Sequence, residues 1–224
     1  MLGGRRKLPV LAEISGPAAG DARAWSLRRA DLEALAKPRQ ELEDHRLALV
    51  VGGASLPAAI ALAAAAGAAG RRTALLECDL AGPRLAAELG LSPGPGLHEY
   101  LRWEATAAEI LQPLVLAGPA ARGVGDPLVC IVAGRPAADP ATLVQLESFR
   151  HALAKLRAAY DLVVLSGPAS GSDHGALEPL AARADTLVAA TSPDELEGRA
   201  GRGLRSALRK LPPKLLGAIV VGNP

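Results

Sequence analysis

Six short apolar runs, separated by stretches of helical character, restrict the possible folds of this chain more than any other feature of its sequence. The runs are 47–52, 73–78, 128–134, 161–167, 186–192 and 215–221. Continuous apolar runs of this length are typical of strands buried on both faces, and helices between them would join parallel neighbours. The pattern therefore predicts an α/β fold of three layers, in which a mainly parallel sheet carries helices on both faces.

The composition agrees with this architecture and limits the number of domains. Half of the 224 residues are hydrophobic but only 2% are aromatic, so the core must consist of many small aliphatic contacts. A small all-β domain would usually carry more aromatic residues. The length suits one α/β domain, which we expect at residues 25–224. Residues 1–24, rich in glycine, proline and alanine, are interpreted as a linker-like segment in which Leu8–Ile14 forms a short strand or a docking segment.

Several helix boundaries can be predicted from capping residues and prolines. Ser192–Glu195 combines a capping serine, a proline at the first helical position and a glutamate at the third, and Asp139–Pro140 starts an earlier helix in the same way. The pattern from Trp25 to Glu43 is also helical, and Pro38 is expected to break or kink that helix. The helices that follow the apolar runs are predicted from about residue 57, at 140–158, at 175–183 and at 193–211.

Charge, cysteine content and apolar segments bear on the location of the protein. The net charge of +2 requires no acidic partner. Cys78 and Cys130 both lie inside apolar runs, which favours buried, reduced thiols and a reducing compartment. The apolar run near the N-terminus is too short for a signal peptide, and the longest one, 57–70, is shorter than the roughly 20 residues that a membrane span needs. We therefore expect a soluble, cytoplasmic protein.

A glycine-rich turn, Gly52–Pro57, follows the first apolar run and leads into a helix. This is the context of a phosphate loop, in which backbone N–H groups and the amino end of the helix hold an anion. A working loop also needs a lysine for the outer phosphates and a serine or threonine for Mg²⁺. Here the lysine position falls on Ser55 and the hydroxyl position on Leu56, and no lysine lies between Lys37 and Lys155. The alternative interpretation is a plain strand-to-helix turn.

Downstream of this turn the sequence resembles one family in several motifs that follow in the same order. The motifs are Glu77-Cys78-Asp79, Pro83-Arg84-Leu85, Gly90-Leu91 and Gly96-Leu97-His98-Glu99-Tyr100-Leu101. They are similar to the segment after the phosphate loop in bacterial tyrosine kinases (BY-kinases) of the CpsD/CapB type, which are relatives of MinD and ParA. Residues 133–169 resemble the family's Walker B region, and Leu8–Ile14 resembles the linker before these kinase domains. The resemblance implies a P-loop NTPase-like fold.

Some positions depart from the family pattern. Ser166 stands where the family has the Walker B aspartate that organises Mg²⁺ and water, and Val221 stands where an adenine-contacting asparagine is common. The residues that remain of a nucleotide site are Gly52, Gly53, Ala54, Ser55, Leu56, Ser166 and Asn223. Of the acidic positions, Glu77 and Asp79 remain, and Asp79 is the one candidate for a metal ligand. Its alternative role is that of a helix cap or turn residue.

The resemblance implies a degenerate, catalytically inactive BY-kinase-like protein. Loss of the lysine, the Mg²⁺ hydroxyl and the Walker B carboxylate removes the groups that stabilise charge in phosphoryl transfer. On this hypothesis no residue is catalytic and no cofactor is expected. The protein would be a scaffold or regulatory partner in exopolysaccharide or capsule biosynthesis and export. It would act at the inner face of the membrane, through a Wzz-like polysaccharide co-polymerase or a homologous active kinase, and could form a homo-oligomer through residues 26–37.

Three alternative functions stay open. The first is an atypical but active tyrosine kinase or ATPase that binds ATP and Mg²⁺ with Ser55 and backbone amides. The second is a positioning ATPase of the MinD/ParA type, which would dimerise with bound nucleotide. The third is a hydrolase, because Gly53-Ala54-Ser55 places a serine in a strand-to-helix turn, with Asp79 and His174 following in chain order.

The last long helix carries a basic stripe, made of Arg199, Arg202, Arg205, Arg209 and Lys210. This stripe would suit an acidic partner or an anionic lipid surface, and the alternative is a solvated face.

Nucleic acid is not expected as a ligand, because almost no aromatic side chains are available to stack on bases. His98 and His151 are assigned to helix faces, and 170–174 to a polar loop. The two distant cysteines, with no histidine pattern around them, do not indicate a metal site.

Overall fold

The computed structural model describes residues 8–15, 27–114, 128–169 and 175–222. The strands are β1 (Val10–Ser15), β2 (Leu47–Val51), β3 (Thr73–Glu77), β4 (Gln112–Leu114), β5 (Leu128–Ile131), β6 (Leu162–Ser166), β7 (Thr186–Thr191) and β8 (Lys214–Gly222). They form one eight-stranded sheet in the order β1-β8-β7-β2-β6-β3-β5-β4. Neighbouring strands are parallel, except that β4 runs antiparallel to β5. The mainly parallel sheet predicted from the apolar runs is confirmed.

Helices cover both faces of this sheet. They are α1 (Arg29–Ala34), α2 (Ala36–Glu41), α3 (Ser55–Ala68), α4 (Leu85–Leu89), α5 (Leu97–Leu101), α6 (Ala107–Ile110), α7 (Pro140–Gln145), α8 (Glu147–Ala159), α9 (Leu177–Ala181), α10 (Pro193–Glu197) and α11 (Arg199–Leu208). Side chains of one strand alternate between two apolar clusters: Ala48 and Val50 pack with α1, α3 and α4, whereas Leu47, Leu49 and Val51 pack on the opposite face with α5 to α9 and α11. Two apolar layers therefore hold the three-layer architecture together.

The strands follow the apolar runs closely, with two additions at the edges of the sheet. β4 was not predicted, because it is a three-residue edge strand with Pro113 in the middle, and proline is unfavourable inside a strand. β1 forms from the Leu8–Ile14 segment and pairs with β8, so the strand alternative for that segment is the one observed. The sheet thus includes residues that precede the predicted boundary at residue 24.

Three of the predicted helices are split in the structure, and a break was expected in one of them. The break predicted at Pro38 is observed at Leu35, because proline has no N–H to bond the carbonyl of Ala34, and Pro38 lies in the first turn of α2 instead. The splits at Leu146 and Gly198, where the backbone is extended, were not predicted. The predicted caps at Ser192 and Asp139 are confirmed, and each accepts a hydrogen bond from a backbone N–H of the first turn.

Helix α3, which follows the glycine-rich turn, is buried along most of its length. Its alanines, from Ala58 to Ala66, leave little exposed surface, and such small side chains let a helix lie close to a sheet. Alanine also loses no side-chain entropy in a helix. The helix begins at Ser55, slightly earlier than predicted, and this start determines the shape of the preceding turn.

At the amino edge of the sheet, Asp185 joins three parts of the chain. Its carboxylate accepts hydrogen bonds from the N–H groups of Arg46 and Leu47, at 3.0 and 2.9 Å, and from the Arg157 guanidinium at 2.6 Å. Partial burial acts to raise the pKa of Asp185, but the hydrogen bonds from Arg157 and the two amides outweigh it, so the pKa is lowered. The ionised carboxylate therefore stabilises the contact between β2, β7 and α8.

The two cysteines are free and buried, as predicted. Burial raises the pKa of both thiols, that of Cys130 to about 12. Among the described residues, none of the helices combines the length and the apolar character that a membrane span requires.

Candidate functional site

The carboxyl ends of β7, β2, β6 and β3 lie side by side near the centre of the sheet. Ligands of open parallel sheets bind at this edge. The register places Ser166 beside Val50 on one side and beside Glu77 on the other. The structure therefore brings the predicted residues of β2, β6 and β3 together at one edge.

The turn between β2 and α3 is tighter than a phosphate loop. The two elements are separated by residues 52–54 only, whereas the motif G-x-x-x-x-G-K-[ST] forms a wider cradle. The N–H of Ser55 donates to the carbonyl of Gly52 at 3.1 Å, and the N–H of Ala54 donates to the carbonyl of Ala190 at 3.4 Å. Two amides that a phosphate loop would offer to its ligand are therefore bonded within the protein.

Gly52 is required for the close contact between this turn and β7. Its φ of +128° is rarely adopted by residues with a side chain, and a Cβ at this position would overlap the carbonyl oxygen of Ala190 and lie 3.2 Å from Leu204 Cδ2. The turn is therefore held against the end of β7 by its backbone.

Ser55, which is predicted at the lysine position, is buried at 1% exposure. Its hydroxyl donates to the carbonyl of Gly167 at 3.0 Å, and the N–H of Gly167 donates to Val50 at 2.8 Å. Leu56, which is predicted at the Mg²⁺ hydroxyl position, packs in the apolar cluster around α3. Both side chains thus connect the turn to the interior of the protein.

Glu77 is a buried carboxylate at the end of β3. Its Oε1 accepts hydrogen bonds from the N–H groups of Arg84, at 2.5 Å, and Leu85, at 2.8 Å, and its Oε2 accepts from the N–H of Ala133 at 2.9 Å. Burial raises the pKa of Glu77, and the three N–H donors oppose that effect. The side chain therefore joins the start of α4 to the end of β5.

Asp79 and Ser166 also contact neighbouring backbone. Oδ1 of Asp79 accepts from the N–H of Gly82 at 3.1 Å, and its Oδ2 accepts from the N–H of Ala169 at 3.5 Å. These contacts favour the turn interpretation of Asp79. The carbonyl of Ser166 accepts from the N–H of Cys78 at 2.8 Å. In the part of the chain that the structure describes, no three His, Cys, Asp or Glu side chains are grouped closely enough to hold a metal ion.

Glu195 brings a further carboxylate to the turn, whereas the sequence pattern predicts it only as part of a helix cap. Its Oε2 accepts hydrogen bonds from the Thr191 hydroxyl at 3.2 Å and from the Ser192 N–H at 3.4 Å. A Cβ built on Gly53 would lie 2.9 and 3.0 Å from its two carboxylate oxygens. No local sequence signal marks this contact, because it depends on β7 lying beside β2.

The histidines bear on the hydrolase alternative. The His98 ring is buried and its Nδ1 donates to the carbonyl of Arg135 at 2.6 Å, while the Ser55 hydroxyl is bonded to Gly167. His151 is exposed on α8 beside Glu147, at 3.4 Å. The helix-face assignment thus fits His151, whereas His98 joins the start of α5 to the loop after β5. The polar loop 170–174, which includes His174, lies outside the described residues, and so does Asn223.

No protein-family model matches this sequence, and no curated protein matches it. Among solved structures, the chain is similar to the kinase domain of the Escherichia coli tyrosine kinase ETK, with a TM-score of 0.73, 20% identity and coverage of 96% of this chain and 90% of that chain. It is similar to the BceF tyrosine kinase domain, with a TM-score of 0.74, 18% identity and coverage of 97% and 94%. For MinD of Pyrococcus horikoshii complexed with Mg-ADP, the TM-score is 0.58, the identity 18% and the coverage 78% and 69%. The protein therefore has the P-loop NTPase-like fold of bacterial tyrosine kinase domains.

Proposed function

We propose that this protein is a catalytically inactive BY-kinase-like protein that serves as a scaffold or regulatory partner in exopolysaccharide or capsule biosynthesis and export. The observation that carries the proposal is the state of Ser55, which stands at the lysine position, is buried and donates its hydroxyl proton to Gly167. Phosphoryl transfer needs a cation at this position to stabilise the charge of the transferred group. A buried serine provides no such charge.

The remaining positions of the expected nucleotide site support the same proposal. Leu56 lies in the apolar core, and the carboxylates of Glu77 and Asp79 accept hydrogen bonds from backbone N–H groups. Ser166 has no carboxylate with which to organise Mg²⁺ and water. On this proposal the protein needs neither ATP nor Mg²⁺, and the former nucleotide edge is a structural element.

The cellular setting and the partners are inferred from the sequence resemblance together with the fold. The proposed partner is a Wzz-like polysaccharide co-polymerase or a homologous active kinase, with the protein held at the inner face of the membrane through that partner. Helix α1, part of the 26–37 segment proposed for homo-oligomer contacts, is attached to β1 because buried Asp31 accepts from the N–H of Ser15 at 2.9 Å. Arg29 and Glu33 pair on its exposed side, at 3.4 Å.

Calorimetric titration with Mg-ATP and Mg-ADP tests the catalytic part of the proposal. We expect no binding to the wild-type protein at millimolar nucleotide. Binding at micromolar level or tighter, lost in an Asp79→Asn variant that folds normally, would favour the alternative of an active kinase or ATPase. The Asn side chain keeps an acceptor for Gly82, so this variant separates metal binding from the turn contact.

Two further measurements separate the partner hypotheses. Purified protein should bind the cytoplasmic part of a polysaccharide co-polymerase, or a homologous kinase, equally well with and without ATP. A mass measurement in solution, also with and without ATP, addresses the alternative of a MinD/ParA-type positioning ATPase. Dimerisation only with nucleotide would support that alternative, whereas an unchanged mass agrees with our proposal.

A further inference from the structure

The amino end of α3 has no local cap. Ala54 occupies the capping position, the first turn contains no acidic residue, and no capping hydrogen bond from a described side chain reaches it. A helix of this length carries partial positive charge at its amino end, and this charge is present although the N–H of Ser55 is bonded to Gly52 and Pro57 has no N–H. Phosphate-binding proteins of this fold class use this charge to hold an anion.

Glu195 supplies a negative charge at that end of α3. Its two carboxylate oxygens lie 2.9 and 3.0 Å from the point where a Cβ of Gly53 would be, directly before the start of the helix. Because Gly53 has no side chain, the carboxylate can lie against the backbone of the turn. The charge comes from a distant part of the sequence that the sheet brings alongside.

The position of Glu195 is determined by several contacts. The capping box of α10 and the Thr191 hydroxyl orient the carboxylate. The following helix, α11, packs tightly on α10, since a Cβ at Gly201 would come within 2.5 Å of the Glu195 carbonyl oxygen and 2.7 Å of that of Leu196. The carboxylate is therefore presented to the turn by a packed element.

We propose that Glu195 is a built-in anion that compensates the positive end of α3 and excludes phosphate groups from the Gly52–Ser55 turn. This inference rests on the proposed function, since it names the group that occupies the anion position of an inactive site. A phosphate approaching the turn would meet a like charge within a few ångströms, which opposes binding. The contact between Glu195 and the turn forms whenever the protein is folded, so a side chain of the protein itself blocks the anion position.

Pyrophosphate is a suitable probe because it needs neither an adenine pocket nor a lysine geometry. The variants are Glu195→Gln and the matched control Asp194→Asn, which removes a charge from the adjacent exposed position of α10. Glutamine serves in a capping box as glutamate does, so Glu195→Gln removes the charge and keeps the cap. Thermal unfolding and calorimetry are then recorded with and without pyrophosphate.

We expect Glu195→Gln to unfold at a lower temperature than the wild-type protein and to be restabilised by millimolar pyrophosphate, since a ligand that binds the folded state raises its stability. Its affinity for pyrophosphate should exceed that of the wild-type protein by at least about tenfold, because a like charge has been removed from the site. Asp194→Asn should respond to pyrophosphate as the wild-type protein does.

The proposal is overturned if Glu195→Gln binds pyrophosphate no more tightly than the wild-type protein, or if Asp194→Asn gains as much affinity for pyrophosphate as Glu195→Gln does. If Glu195→Gln does not fold, Glu195→Asp decides, because it keeps the charge but withdraws it from Gly53 by one methylene. We then expect Glu195→Asp to gain affinity for pyrophosphate, by less than is expected of Glu195→Gln. An unchanged affinity would contradict the proposal. If only this inference fails, the wild-type protein still binds neither Mg-ATP nor pyrophosphate. If the wild-type protein binds Mg-ATP tightly, both this inference and the proposed function are overturned.

Discussion

The Ser55 hydroxyl donates a 3.0 Å hydrogen bond to the carbonyl of Gly167, and this bond joins the start of α3 to the end of β6. Both groups lie at the carboxyl edge of the sheet, where ligands of open parallel sheets bind. The residue predicted at the lysine position is thus engaged in holding two central elements of the fold together.

Replacement of Ser55 by alanine should destabilise the protein. The Gly167 carbonyl would lose its donor in a buried environment, which costs about 1–3 kcal/mol of unfolding free energy. Urea unfolding followed by circular dichroism measures the loss. Ser206→Ala, at an exposed position of α11, is the control and should change stability by less than about 0.5 kcal/mol. Equal effects of the two substitutions would show that the Ser55 contact contributes little.

The double variant Ser55→Lys with Leu56→Thr tests whether restored side chains suffice for nucleotide binding. We expect no gain in Mg-ATP affinity, because the turn contains only residues 52–54, two of its amides are already bonded, and Glu195 still places its carboxylate against Gly53. Stability should fall, since a lysine would replace a buried serine and a threonine a core leucine. Calorimetric titration of the folded variant with Mg-ATP measures the affinity. Binding of Mg-ATP at micromolar concentration would mean that the turn can open into a phosphate cradle.

The two glycines of the turn should respond very differently to alanine. At Gly52 the new Cβ would overlap the Ala190 carbonyl at a positive φ, so Gly52→Ala should cost more than about 3 kcal/mol or prevent folding. At Gly53 the nearest atoms to a new Cβ belong to the end of the Glu195 side chain, at 2.9 to 3.3 Å, which can shift more easily than a backbone carbonyl, so we expect a smaller cost of about 1 kcal/mol. Denaturant unfolding measures the free energy of unfolding of both variants. Similar losses in the two variants would contradict the close contact between the turn and β7.

Asp185 should make stability depend on pH in the acid range. Its pKa is lowered in the folded state, so its contribution is present above the unfolded pKa and is lost as pH falls through the folded pKa. Near neutral pH, Asp185→Asn should cost about 1–3 kcal/mol, and the difference from the wild-type protein should shrink on acidification. Exposed Asp194→Asn is the control. A difference that stays constant with pH would contradict a role for the ionised carboxylate.

Much of the architecture could be predicted, because local patterns determine it. The six apolar runs became strands since each is too apolar to lie at the surface, and Ser192 and Asp139 cap helices because their side-chain oxygens reach N–H groups of the next turn. β4 and the split at Leu146 could not be predicted. Neither carries a local signal, and both depend on how neighbouring elements pack.

The sequence by itself determined the parallel α/β layout, and its resemblance to BY-kinases predicts that Ser55, Leu56 and Ser166 stand where that family has the residue types that phosphoryl transfer needs. Only the tertiary structure decided what these positions do instead. Ser55 bonds to Gly167, and Glu195 reaches Gly53, because the strand order places β6 and β7 on either side of β2. Residue types are local properties of a chain, whereas a charge placed against a helix end is a property of the packed sheet.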